Sequence, residues 1–318
     1  MKVLITGGCG FIGTNFIKYW LEKYPNDEII NLDKLTYAGN PDNLKDIEDN
    51  PKYTFVKGDI CDRKIVDKVM KDKDIVFNFA AESHVDNSIK GPLVFTESNV
   101  LGTHVLLESA KQNNIKKFIH ISTDEVYGSV KEGSFSETDI LKPNSPYSAA
   151  KAAAEMIVRA YNVTFKLPVI ITRSSNNYGP YQYPEKVIPL FVTNLIENKK
   201  VPLYGTGMNV RDWIYVMDNC EAVDFVSKNG EIGEIYNIGG GNEIPNIELT
   251  NSILKEMDKD ETYIEYVEDR LAHDFRYSLT CNKIHKLGWK PRFNFETALK
   301  ETVQWYKDNE EWWRKLKH

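Results

Sequence analysis

The sequence predicts an α/β protein built on a parallel, doubly wound sheet. Three observations predict it: short β-rich runs alternate with helix-length segments through the first half, the inner runs are apolar almost throughout, and spaced glycines follow the first run directly. In order, Lys2–Thr6, Glu28–Asp33, Tyr53–Lys57 and the segments 74–80 and 116–123 read as strands, with 168–173 as a sixth. In Ile75-Val-Phe-Asn-Phe79 nearly every position is apolar, as a strand covered by helices on both faces requires.

After about Asn176 the rhythm changes, and Gly179-Pro180, Gly205-Thr-Gly207 and Gly239-Gly-Gly241 punctuate shorter elements. The chain is therefore read as a Rossmann-like domain over 1–175, carrying the catalytic residues, and a smaller mixed α/β C-terminal substrate domain over 176–318. Residues 216–228 have helical periodicity and are expected to pack back on the first domain. The tail from Asn294 reads as a helix, with Trp312 and Trp313 capping a surface.

Composition narrows the function. A content of 42% hydrophobic residues is that of an ordinary globular chain, and a net charge of -6 argues against a nucleic-acid partner, whose phosphates need clustered Lys and Arg. Cys9, Cys61, Cys220 and Cys281 form no Cys-x-x-Cys pair, and the six histidines show no ligand spacing, so no metal is expected. Every long apolar run is cut by charge, which predicts a cytoplasmic protein without a membrane partner.

Thr6-Gly-Gly-Cys-Gly-Phe-Ile-Gly13 places glycines at 7, 10 and 13 between the first strand and a helical run over 11–24. Gly7 suits a tight turn, Gly10 admits a pyrophosphate against the backbone, and Gly13 lets helix and strand approach. The helix start offers unpaired N–H groups and the positive dipole end to phosphates. Asp33 follows about twenty residues on, where its carboxylate accepts bonds from ribose hydroxyls and repels a 2′-phosphate. NAD is thus expected over NADP, with Lys34 pulling weakly the other way, and Asp59 suits the adenine amino group.

Tyr147 and Lys151 stand four apart, on one face of a helix. A nearby ammonium favours the phenolate, which makes the tyrosine a base for a sugar hydroxyl while hydride leaves for the nicotinamide. An exposed helical pair is the ordinary meaning of that spacing; behind a dinucleotide site, catalysis is the better one.

Gly-x-x-Gly-x-x-Gly with Tyr-x-x-x-Lys resembles the short-chain dehydrogenases/reductases. The length and Arg211-Asp-Trp-Ile-Tyr-Val216 are similar to their extended branch, which acts on nucleotide-sugars. Ser122-Thr-Asp-Glu-Val-Tyr-Gly128 separates the members, because epimerases of that branch typically lack the acid pair. Leu32-Asp-Lys-Leu-Thr-Tyr-Ala-Gly-Asn40, Ala80-Ala-Glu-Ser-His-Val-Asp86, Arg173-Ser-Ser-Asn-Asn-Tyr-Gly-Pro180 and Pro184-Glu-Lys-Val-Ile-Pro189 resemble the nucleotide-sugar 4,6-dehydratases nearly end to end, most sharply those acting on dTDP-glucose.

That resemblance implies oxidation at C4, loss of water across C5 and C6, and return of hydride to C6. It makes Glu125 the base at C5, Asp124 the acid at the C6 hydroxyl, and Thr123 a hydrogen-bond partner of the 4-hydroxyl. Asp124 must then be neutral, which requires a pKa raised by burial or by Glu125. The NAD cleft is expected to take in Phe11, Ile12, Lys34, Leu35, Thr36, Ile60, Ala80, Ala81, Ser98 and Asn177, besides Gly7, Gly10, Gly13, Asp33, Asp59, Tyr147 and Lys151. Ser83, Thr123 and Asn176 would touch the sugar or its phosphate, Lys186 and Val187 the substrate at a helix start, and Pro202 and Tyr204 the base. Arg211 and Asn246 would hold the diphosphate and nucleoside, Arg211 through two parallel bonds. Arg270 and His273 would be nucleotide contacts.

Two positions depart from the family pattern. Asp269-Arg-Leu-Ala-His-Asp274 has Leu and Ala where Pro and Gly are usual, and Asn87 replaces a common arginine. The rival readings are a 4-epimerase or decarboxylase of the same branch, which has no use for Asp124 with Glu125, and a non-catalytic NAD-binding regulator. Family members commonly pair through helices corresponding to 99–112 and 147–163, so a homodimer is expected.

Overall fold

The computed structural model describes residues 1–269 and 273–317. Seven strands form one parallel sheet: β1 (Lys2–Thr6), β2 (Glu28–Asp33), β3 (Tyr53–Lys57), β4 (Ile75–Asn78), β5 (Lys117–Thr123), β6 (Val169–Ser174) and β10 (Ile235–Ile238). Their spatial order is β10-β6-β5-β4-β1-β2-β3. β7 (Asn176–Tyr178), β9 (Val210–Tyr215) and β11 (Glu243–Pro245) make a small mixed sheet, and β8 (Val201–Tyr204) pairs with β12 (Ile264–Val267).

Helices cover both faces of the large sheet. The first half holds α1 (Phe11–Lys23), α2 (Arg63–Met70), α3 (Val85–Lys90), α4 (Pro92–Phe95), α5 (Thr103–Gln112) and α6 (Pro146–Phe165). The second half holds α7 (Val187–Ile196), α8 (Val216–Asn229), α9 (Asn246–Glu256), α10 (Asn282–Leu287), α11 (Phe295–Asp308) and α12 (Glu310–Arg314). The two-residue period of the strands divides the core: Val3, Ile5, Phe77, Ile119 and Ile170 pack with Phe16 and Trp20 of α1 and Val223 of α8. Leu4, Val76, Phe118, Val169 and Ile171 face the other way, toward Val66 of α2, Leu106 of α5 and Val158 of α6. The first three expected strands have the observed bounds, and no described helix is long and apolar enough to cross a membrane.

Three features differ from expectation. The sheet gains a seventh strand, because β10 returns to pair with β6 through Ile235↔Ile171 to Ile238↔Ser174, while α8 packs back against α1 as expected. The tail is two helices, and Trp313 caps no surface: it is wholly buried, its Nε1 donating to the Tyr306 carbonyl at 2.8 Å. Residues Thr96–Gly102, ahead of α5, wind as a π-helical turn.

Behind the carboxyl edge of β5 and β6 lies a buried ion pair. Arg173, 2% exposed, donates through Nη2 to Glu155 at 2.6 Å, with Glu155 fully buried in α6. Its Nη1 reaches the Tyr127 hydroxyl at 2.6 Å, which in turn donates to Asn237 Oδ1 of β10 at 2.8 Å. Removing one member strands a buried charge. Arg173→Met is therefore expected to lower the unfolding free energy by about 3–5 kcal/mol in urea titration, and Arg173→Met with Glu155→Leu by less. A double variant as weak as the single would dismiss the pair as the cause.

Candidate active site

In a parallel sheet the carboxyl ends of the strands share one edge, and here Asp33 from β2, Phe79 directly after β4, and Ile121 and Ser122 from β5 line a common cleft at that edge. Gly7 has φ +72, and a Cβ there would sit 2.6 Å from the Ala80 nitrogen, so the turn and its approach to the fourth strand both need glycine. A Cβ on Gly13 would meet the Gly7 carbonyl at 2.3 Å, which is the close helix-to-strand packing expected. The start of α1 at Gly10 has no side-chain cap and opens on the cleft. Asp33 accepts from the Cys9 and Leu35 N–H groups at 2.9 and 2.8 Å, so the glycine turn itself aims the carboxylate.

Lys34 is turned to Asp59, with Nζ 2.7 Å from the carboxylate. Burial would raise the Asp59 pKa, yet the bonds from Lys34 and the Cys61 N–H hold it below the usual value. The charge that weakened the preference for NAD is thereby neutralised away from Asp33, and Asp59 is engaged by it. Phe11, Ile12, Thr36, Ile60, Ala80, Ala81, Ser98, Tyr147 and Lys151 line the same cleft, as do Ser83 and Lys186. Leu35 and Asn177 are not among its lining. Leu35 has φ 58 and shapes the turn, and Asn177 Nδ2 is tied to the Ser175 carbonyl. Those residues fit a dinucleotide: an uncapped helix start over glycines at one end, a preset carboxylate at the other.

Ser145 caps α6 in a reciprocal bond pair with Ser148, which fixes Tyr147 in the first turn. Its hydroxyl is within hydrogen-bond reach of Thr123. Thr123 also caps the short 3-10 turn Asp124–Tyr127, accepting from the Glu125 N–H at 3.2 Å. Asp124 is 3% exposed; its Oδ1 accepts from Thr123, and its Oδ2 has no hydrogen-bond partner among the described residues. Burial first, then Glu125 and Asp212, push its pKa well above the carboxylate range. Those surroundings favour the protonated carboxyl, the form that the expected acid role calls for.

The tyrosine departs from expectation. Lys151 gives its Nζ to the Ile121 carbonyl at 2.6 Å, and burial brings its pKa down to about 8. Tyr147 is held well above the phenol range by burial and then by Glu125 and Asp124. Without a cation at the hydroxyl, the acid pair dominates it.

Arg211 is engaged by backbone carbonyls. Its Nη1 donates to the Val210 carbonyl at 2.7 Å and its Nη2 to that of Asp274 at 2.8 Å, with the guanidinium 4.1 Å over the Tyr277 ring. A buried guanidinium satisfies its donors where carbonyls are offered, so gripping a diphosphate through two parallel bonds requires trading these. The segment 202–211 holds or touches several of the other expected contacts. Tyr204 meets the His273 ring edge-on at 6.2 Å, the Asn246 N–H bonds the Asn209 carbonyl, and Pro202 lies on β8 opposite Glu265. Val187 opens α7 directly after Lys186, whose Nζ bonds the Ser83 carbonyl at 3.1 Å. Asn176 Oδ1 is buried without a hydrogen-bond partner among the described residues. Arg270 falls outside the described residues.

Several groups escaped sequence reasoning. Asp212, in β9, accepts from the Gly240 and Asn242 N–H groups at 3.0 and 2.6 Å and bears on Asp124 from across the chain. Glu82, Gln182, Tyr183 and Glu185 line the cleft, and Asn99 clamps Glu82 through both its backbone groups. The Arg-Asp pair at 211–212 was the available signal for Asp212. No spacing rule marks the others.

Comparisons agree with this geometry. The Low-salt glycan biosynthesis protein Agl12 of Haloferax volcanii is 50% identical over 98% of this chain and 100% of its own. A dTDP-glucose 4,6-dehydratase of Streptomyces niveus is 49% identical over 100% of this chain and 96% of its own. The crystal structure of DesIV, a dTDP-glucose 4,6-dehydratase from Streptomyces venezuelae with NAD and TYD bound, superposes with a TM-score of 0.98 at 49% identity, covering 100% of both chains. The family described as GDP-mannose 4,6 dehydratase matches residues 4–302, and the chain belongs to it.

Proposed function

We propose that the chain is an NAD-dependent nucleotide-sugar 4,6-dehydratase that converts dTDP-glucose to dTDP-4-keto-6-deoxyglucose. The observation that carries this reading is the buried Asp124 with Glu125 beside it, close to Tyr147, an acid pair that a 4-epimerase has no use for. Residues 1–175 hold NAD and the reacting groups, and 176–318 mainly the nucleotide-sugar.

Bound in the cleft, NAD supplies a two-electron acceptor that later returns the same electrons, and a positive ring charge that Lys151 alone does not bring to Tyr147. Tyr147 takes the C4 hydroxyl proton, with Thr123 fixing that hydroxyl and Lys151 holding the helix turn to the Ile121 carbonyl. The C4 ketone acidifies C5, and Glu125 removes that proton. Asp124 gives its own proton to the C6 oxygen, which departs as water and leaves a C5–C6 double bond. Once C6 is reduced, Glu125 returns a proton to C5. The sugar has lost one water and no net electrons.

A homodimer through 99–112 and 147–163 accompanies this reading, supported by Leu101, Met156 and Val163, which stand exposed on those helices. A cytoplasmic place goes with four unpaired cysteines.

Incubation with dTDP-, UDP-, GDP- and CDP-hexoses in deuterated water, read by mass, is expected to show one water lost from the dTDP sugar alone, with one deuterium gained at C5. Glu125→Gln should lose both exchange and elimination, and Asp124→Asn elimination only, each by about 100-fold or more; unchanged turnover in either removes that residue from the mechanism. Asp124 also carries a stability signature. Its folded pKa is raised, so its contribution is complete below the unfolded pKa of about 4 and is lost as pH rises toward the folded value. Asp124→Asn, inactive, should therefore melt above wild type at pH 7 and level with it near pH 4. Light scattering is expected to return twice the chain mass of 36.6 kDa.

A further inference from the structure

Three segments border the mouth of the cofactor cleft: 34–39 after β2, 82–84 after β4, and 182–186 before α7. The third crosses to the other two. Tyr37 donates its hydroxyl to Glu185 Oε1 at 2.8 Å, and its ring meets Tyr183 edge-on at 5.5 Å. Glu185 Oε2 lies 3.8 Å from His84 Nε2, and Lys186 Nζ bonds the Ser83 carbonyl. Asn87, the residue standing where the family commonly has arginine, has its side chain within hydrogen-bond reach of the Tyr37 hydroxyl. The hydroxyl thus donates to Glu185 with the Asn87 side chain beside it. Beneath, the spanning segment is anchored: Gln182 Nε2 bonds the Asn177 carbonyl at 2.9 Å, and Tyr183 donates to the Leu316 carbonyl at 2.9 Å.

We infer that Tyr37 and Glu185 form a latch that closes the cleft over the cofactor and slows its departure, Glu185 acting as a positioning residue rather than a catalytic one. The inference rests on the NAD reading above. Its logic is kinetic. A cofactor that must return its electrons within the same turnover stalls the reaction if it leaves midway, and the glycine turn and Asp33 grip only its inner side. The carboxylate, half-buried between a phenol and an imidazole, joins segments of both halves of the chain across the opening. Tyr37 is 41% exposed, so the bond exchanges with water and the latch can open. Lys186, next to Glu185, places an expected substrate contact on the same strap, so a bound sugar nucleotide would hold the latch shut.

The test is the rate at which purified holoenzyme releases NAD, followed at 340 nm by trapping it with excess alcohol dehydrogenase and ethanol. Tyr37→Phe and Glu185→Ala should each speed release by about threefold to tenfold, and the double variant no further than either single, because the same bond is removed in all three. Unchanged release, or effects that add, overturns the latch while leaving NAD binding intact. A wild-type protein that retains no NAD overturns the cofactor reading and the latch with it.

Discussion

Glu155 stands one helical turn beyond Lys151, and its carboxylate meets the Arg173 guanidinium where neither reaches water. A desolvated pair of this kind adds little net stability, since burial costs about as much as the attraction returns. Its effect is geometric. α6 presents Tyr147 and Lys151, while the turn after β5 presents Asp124 and Glu125, and nothing in a helix–sheet sandwich forces two such elements into register. Arg173, reaching Glu155 on one side and Tyr127 on the other, ties both to β6, and Tyr127 extends the tie to β10. Proton transfers that fail with an ångström of misplacement need such a frame.

The frame encloses an uneven charge distribution. Asp124, Glu125 and Asp212 crowd one side, with the phenol of Tyr147 among them, and the Lys151 ammonium is turned to a carbonyl. Such crowding favours retention of protons, which suits an acid and burdens a base. In the proposed roles Asp124 then holds the proton that an acid needs, whereas Tyr147 needs a positive charge nearby to act as a base. Readiness of the acid weakens the fold when that proton is lost, the ordinary tension between activity and stability.

Much of this was legible in the amino-acid sequence. The bounds of the first three strands were legible because charged residues mark their ends: Lys2, Glu28 with Asp33, and Lys57. The glycines, Asp33, Tyr147 and Lys151 announce themselves by order and spacing. β10 does not: its four residues join the sheet sixty positions after their partner, and the pairing is visible only in space. Asp212 was hidden for the same reason, and Trp313 because a tail rich in charge conceals one buried ring. The Lys151 and Arg211 bonds went unforeseen because backbone carbonyls leave no mark in a sequence.

The return of β10 also divides the chain in an unexpected way. The polypeptide leaves the sheet after β6, comes back beside it at β10, and departs again, so the second half of the chain consists of two excursions rooted on neighbouring strands. A cut near residue 175 would give neither half a complete sheet. Surface loops of either excursion can be lengthened without changing the strand order of the sheet, which lets those segments vary while the order of the strands is inherited as a whole.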